Sequence, residues 1–186
     1  MKNILTAMLM FCASGAGAAG PAPYTCEGGY FTLTIPAGWS QMPAGGQPAK
    51  AKQVYGVDLL LSGKGGAAAP SITVKYYAPG NSVFKTGQDY VDSNSAPFGD
   101  PEPGEQYSPV TGAAVAGRKA YRFERKFNGY FGPREERKAP VAMFERHLVL
   151  PAREGFYVLL FSAPFAEAKA LVPQFEALVK SFKPKK

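Results

Sequence analysis

The chain holds one histidine and two cysteines among 186 residues, so few groups are available for nucleophilic, acid–base or metal chemistry. His147 alternates with Met143, Glu145 and Val149 along an apolar run. An imidazole beside a carboxylate can serve as a general base, so a cleft near His147 and Glu145 is the one enzymatic reading on offer. The competing reading is a histidine satisfied within a strand. Cys12 lies in the apolar leader and Cys26 beyond it, so a single cysteine accompanies the histidine once that leader is gone. One His and one Cys cannot complete a zinc site of nitrogen and sulfur ligands. The sequence contains no G-x-S-x-G turn to expose a serine, and neither G-x-G-x-x-G nor a P-loop to cradle phosphate. It therefore specifies no catalytic set, no metal site and no cofactor.

Charge is the other source of chemistry. Asp89, Asp92, Asp100, Glu102 and Glu105 follow one another with no intervening base. Several oxygen ligands suit a hard cation such as calcium, but the irregular spacing and the prolines suit a solvated loop. Arg118 to Lys138 is the opposite case, with eight basic residues against three acidic ones. Arg118, Arg122, Lys126, Arg134, Arg137 and Lys138 form the candidate contact for an anion or a protein partner. An ordinary solvated surface is the alternative. Over the whole chain 21 Lys and Arg outnumber 14 Asp and Glu, giving net charge +7 and attraction to anionic partners.

Compartment narrows those partners. Lys2 precedes an apolar run from Ile4 to Phe11, and small residues then fill Ala13 to Gly20. That order describes a secretory signal over residues 1–18, cut after Ala18, and the run is far shorter than the roughly 20 residues a membrane-spanning helix needs. Leu9-Met10-Phe11-Cys12 offers a lipid-attachment alternative at Cys12, with phenylalanine where a small residue is expected. Periplasmic or secreted location follows, with a lipoprotein as the second choice. Nucleic acid is excluded by compartment. The remaining partners are an envelope protein or an anionic surface. Cys26, then alone, forms no internal disulfide.

The elements that position these residues are mostly strands. Residues 19–29 read as a turn-rich, flexible leader. Phe31, Leu33 and Ile35 alternate with threonines, the period of a half-buried strand, and Trp39 follows a Pro-Ala-Gly turn as a buried anchor. Residues 40–52 read as loop. Tyr55, Val57, Leu59 and Leu61 share a strand face, and Ser71 to Tyr77 returns as a hairpin partner. Thr86 and Asp89 form a capping box opening a helix to Asn94, and residues 97–109 read as a surface loop. Strands follow at Val110 to Val115, Arg118 to Phe127, Val141 to Leu150 and Gly155 to Ser162. In the second of these, Arg122, Glu124 and Lys126 share a face predicted to meet solvent. Phe156 to Phe161 is apolar on both faces, which requires layers above and below the sheet. Phe165, Ala168, Leu171, Val172, Phe175, Leu178, Val179 and Phe182 make a helical stripe, which Pro173 should kink or restart.

Phe31-Thr-Leu-Thr-Ile-Pro36-Ala-Gly-Trp39, Val115-Ala-Gly-Arg118-Lys-Ala120, Phe161-Ser-Ala-Pro164, Pro173-Gln-Phe175 and Ser181-Phe182 occur in an order that resembles the PsbP-like family. That fold is shared with the Ran-binding Mog proteins and with bacterial envelope proteins of the DcrB type. The resemblance implies an α+β fold, an α/β/α sandwich with a central, mainly antiparallel sheet of about six or seven strands and a packed C-terminal helix. It covers a single domain over residues 30–183, leaving 184–186 as a basic tail. It implies no shared catalytic motif, and fold alone does not carry function. The expectation is an exported, non-catalytic binding or accessory protein.

Overall fold

A computed structural model describes residues 20–42, 53–64, 66, 68–131 and 139–185. The leader with Cys12, and the basic residues Arg134, Arg137 and Lys138, lie outside the described residues.

Each alternating run is a strand. In chain order these are β1 (Ala22–Thr25), β2 (Phe31–Ile35), β3 (Trp39–Gln41), β4 (Val54–Leu61) and β5 (Ser71–Tyr77). Helix α1 (Gly87–Asn94) comes next, followed by β6 (Gln106–Tyr107), β7 (Thr111–Val115), β8 (Arg118–Gly129), β9 (Val141–Pro151) and β10 (Phe156–Pro164). Helix α2 (Phe165–Ser181) and β11 (Lys183–Pro184) close the chain. The main sheet runs β3-β4-β5-β10-β9-β8-β6, with β7 also paired to β8, and every pairing is antiparallel. It therefore has eight strands, not six or seven. The short strands β3 and β6 arise inside glycine- and proline-rich segments that predict loop. Phe31–Ile35 goes instead to a second sheet of order β1-β2-β11.

The sheet is covered on both faces. On one, Ile72, Val74, Leu148, Leu150, Leu159 and Phe161 pack with Leu171, Phe175 and Leu178 of α2 and with Phe31, Leu33 and Ile35 of the small sheet. Phe175 and Leu178 have no exposed surface, and burying such a side chain stabilises by about 1.5–3 kcal/mol. On the other face Phe123, Val149, Phe156 and Val158 pack with Tyr90 and Val91 of α1. The start of α1 is fixed by the expected box: the Thr86 hydroxyl accepts from the Asp89 amide, and the Asp89 carboxylate accepts from the Thr86 amide, both at 3.0 Å.

Four local expectations differ from the structure. Ala22–Thr25, within the expected leader, is a strand on β2, and Lys183–Pro184, reaching into the expected tail, is a strand on its other edge. The Gly/Pro/Lys composition at those sites hides pairing that comes from distant residues. Helix α2 runs unbroken past Pro173. The ring is exposed, and so is Lys169, whose carbonyl loses its amide partner, while Leu171 and Phe175 hold both turns to the sheet. Phe165, counted in the apolar stripe, is 47 % exposed, and Lys126 Nζ lies 4.4 Å above its ring.

Candidate functional site

Register decides where each candidate goes. In the β8–β9 pairing, Arg122 opposes Leu148, Glu124 opposes Arg146, and Lys126 opposes Phe144. These six share the sheet face that carries α2. The alternate set opposes Phe123 to His147 and Arg125 to Glu145, on the face that carries α1. Two polar systems result, one behind the other.

On the α1 face the polar groups form a chain. Arg125 Nε donates to Glu145 Oε2 at 2.6 Å, and the same carboxylate oxygen is 3.2 Å from His147 Nε2. His147 Nδ1 lies 3.0 Å from the Tyr90 hydroxyl, and Phe123 stacks on the imidazole at 4.4 Å. Burial pushes the Tyr90 phenol far above its usual range, so it stays protonated and donates to Nδ1. The proton shared with Glu145 then sits on Nε2. Burial works against ionising Glu145, but hydrogen bonds and charge from His147 and Arg125 outweigh it and hold the carboxyl below its ordinary range. His147 is 1 % exposed and both ring nitrogens are engaged, so the imidazole is a structural link between β9 and α1. Sequence spacing shows the Glu145–His147 pair but not Tyr90, 57 residues away.

On the α2 face the groups form a ladder. Arg122 Nη2 donates to Glu124 Oε1 at 2.9 Å, and Arg146 Nε donates to the same oxygen at 2.8 Å. Arg146 Nη1 reaches Glu176 of α2 at 3.0 Å. Burial of Glu124 would raise its pKa, but Arg122 and Arg146 bring it below the usual carboxylate range. The face predicted to meet solvent is thus also a clasp between sheet and helix. Beside it lies a groove of about 230 Å³ lined by Arg122, Arg146, Phe175, Glu176, Val179 and Lys180 among others. Arg118 stands at the β7–β8 turn, its Nη2 donating to the Lys185 carbonyl at 3.0 Å. Arg118, Arg122 and Lys126 therefore share one face of one strand. Lys126 is committed to the Phe165 ring and Arg122 to Glu124.

The other candidates resolve locally. Trp39 is 3 % exposed, and its indole nitrogen donates to the Gln174 side chain of α2. Cys26 is buried, and burial, reinforced by Glu27, pushes its thiol up to about 11, so it stays protonated and unreactive. Among the acids, Asp89 caps α1, Asp92 accepts from Gln88, and Glu105 accepts from the Tyr107 hydroxyl. Among the described residues no three His, Cys, Asp or Glu side chains converge as metal ligands, and no helix is long and apolar enough to cross a membrane.

No family profile matches the sequence, and no curated protein does. Solved structures are similar to it in fold. LpqN, involved in cell envelope biogenesis of Mycobacterium tuberculosis, superposes with a TM-score of 0.52 at 12 % identity, over 89 % of this chain and 86 % of that one. Cyanobacterial PsbP from Synechocystis sp. PCC 6803 gives 0.50 at 15 % identity, over 95 % and 99 %. A Bacteroides thetaiotaomicron protein gives 0.53 at 9 % identity, over 90 % of this chain and 49 % of that one. The chain has the PsbP-like fold.

Proposed function

We propose that this is an exported, non-catalytic accessory protein of the cell envelope, docking on an anionic surface or an acidic protein through the face where β8 meets α2. Residues 1–18 are the export signal, and the domain over 30–183 works in the periplasm or outside the cell. The observation that carries the docking reading is a charge imbalance. Among the described residues, Arg118, Arg122, Lys126, Arg146 and Lys180 on or beside this face stand against Glu124 and Glu176. The ladder neutralises two of the cations and fixes their positions, leaving excess positive charge around a groove. Arg134, Arg137 and Lys138, which follow β8 in sequence with Glu135 and Glu136 between them, are proposed for the same contact from sequence alone. A structural neighbour involved in cell envelope biogenesis supports a role at the envelope.

Pull-down from envelope extract, beside sedimentation with vesicles rich in phosphatidylglycerol, tests this. Replacing Arg122, Lys126, Arg134 and Arg137 by glutamine should weaken capture, while replacing Lys50, Lys52 and Lys64 should matter less. Binding should also fall with salt, since exposed charges act over a Debye length of about 8 Å at physiological ionic strength. A wild-type protein that ignored both partners at low salt would end the docking reading.

A further inference from the structure

Beyond β8 the main sheet ends in an edge that no strand covers among the described residues. β6 and β7 pair one after the other along β8, and β7 has no further strand beside it. The β7–β8 turn decides which of its backbone groups face outward. Val115 pairs with Arg118 across a two-residue loop, and Ala116 and Gly117 both have positive φ, +51° and +75°. In such a hairpin the residues flanking the loop bond to each other, so Val115, Ala113 and Thr111 commit their N–H and C=O groups to β8. Gly112 and Ala114 turn theirs outward, and among the described residues nothing bonds them.

The other short edges are guarded. An open edge invites a further strand, and proteins blunt it with proline, with lysine or by keeping it very short. The two edges of the small sheet carry Pro23, Lys183 and Pro184, while β3 and β6 have only three and two residues. β7 is Thr-Gly-Ala-Ala-Val, five residues with neither charge nor proline.

Both faces beside this edge are concave, and they differ in chemistry. On the α1 face a depression of about 840 Å³ is lined by Val110, Gly112, Ala114, Tyr121 and Pro151, with Lys119 among them. Val110 and Tyr121 are 41 % and 43 % exposed, large side chains left in solvent. Gly112 pairs with Tyr121 and puts no side chain between that ring and the open edge. On the α2 face lies the groove of about 230 Å³ with Arg122 and Lys180. Lys180 is exposed and, among the described residues, pairs with no carboxylate. Ala113 stands between this groove and the edge, so a long acidic side chain can reach over its methyl.

We infer that β7 is extended by a strand from a partner protein, a segment whose side chains alternate between apolar and acidic. The inference rests on the docking reading above and gives the acidic partner its form. Backbone bonds to Gly112 and Ala114 attach the segment. Apolar residues opposite those two cover Tyr121, and acidic residues opposite Thr111 and Ala113 meet Arg122 and Lys180. A second copy of this chain suits the edge less well, because pairing β7 with itself brings Lys119, Arg122 and Lys180 of both copies together.

Fluorescence anisotropy of a short labelled peptide alternating valine and glutamate, titrated with the mature protein, tests this. The peptide should bind, and its counterpart alternating valine and lysine should bind roughly tenfold more weakly or worse. Ala114→Pro removes one outward donor without touching the β8 ladder, and should weaken the glutamate peptide roughly tenfold with Tm close to wild type. Tyr121→Ser leaves the edge intact and should weaken it roughly fivefold. The Gly112 and Ala114 amides should exchange fast in the free protein and slowly with the peptide bound. The inference is overturned if the glutamate peptide does not bind, if the lysine peptide binds as well, or if either folded variant binds like wild type. It is also overturned if the protein is a dimer in which those two amides are already protected. Vesicle sedimentation separates the two readings: a wild type that sediments with phosphatidylglycerol but ignores the peptide keeps the docking face and loses the added strand.

Discussion

Replacing Arg125 by methionine should be among the most damaging single charge deletions in the described chain. Its partner Glu145 has a side chain only 11 % exposed, while Arg125 is 27 % exposed. Removing Arg125 leaves the carboxylate buried with the His147 contact, itself held by Tyr90. Orphaning one member of a buried pair costs about 3–5 kcal/mol, and the partial exposure of Arg125 places this case near the lower end. The Arg122–Glu124 pair is a built-in comparison. Its side chains are 43 % and 29 % exposed, and such pairs contribute about 0.2–1 kcal/mol, so Arg122→Met should cost far less. The pH dependence has a definite sign. Glu145 has a folded pKa below its unfolded one, so its stabilising contribution is complete above the unfolded value near 4.3 and disappears as pH falls through the folded value. Without Arg125 the carboxyl protonates earlier, and the variant's deficit should therefore narrow with acid. Urea unfolding followed by Trp39 fluorescence at neutral and acid pH reads both effects. With a slope of about 2 kcal/mol per molar, a loss of 3 kcal/mol moves the midpoint by about 1.5 M at neutral pH. A shift no larger than that of Arg122→Met, or one that does not shrink with acid, would refute the reasoning.

Three further outcomes are expected. Trp39→Ala should cost about 3–5 kcal/mol and abolish the contact with Gln174, while the native protein should show the blue-shifted emission of a buried indole. Gly155→Ala should lower the Tm by several degrees, because φ there is positive and the new methyl would collide with the Tyr77 carbonyl, as thermal scanning would show. Intact mass of the protein purified from the envelope fraction should place its first residue near Ala19, and an acylated Cys12 would contradict this.

Sequence patterns carry the elements whose burial is written in their own periodicity. The alternation of β2 and β5, the doubly apolar β10, the Thr86–Asp89 box and the stripe of α2 all express local rules, and all locate their elements. Contacts between residues far apart in sequence are not legible in this way. β1, β3 and β11 are strands because of what lies beside them, since Ala-Pro-Tyr-Thr and Lys-Pro have no strand period. The same holds for the polar chain. Glu145 and His147 show as a pair, but Tyr90 and Arg125 reach them only through helix docking and strand register. The reading of Arg122, Glu124 and Lys126 as one face is right in register and incomplete in what covers that face. Arg146 and Glu176 bring it against α2, a choice that strand alternation alone does not reveal.

The small sheet has a consequence for the order of events during synthesis. Its middle strand, β2, buries Phe31, Leu33 and Ile35 against the core, and its two edges are filled by residues 22–25 and 183–184. One edge is available almost as soon as β2 is made, whereas the other waits for a segment about 150 positions later. Pairings over such separations are slow to form, because a long loop must close before any contact rewards it. A chain leaving the ribosome thus keeps one seam open until its final turns emerge. Pairing of β11 with β2 is then the last step of folding, the one that seals the domain.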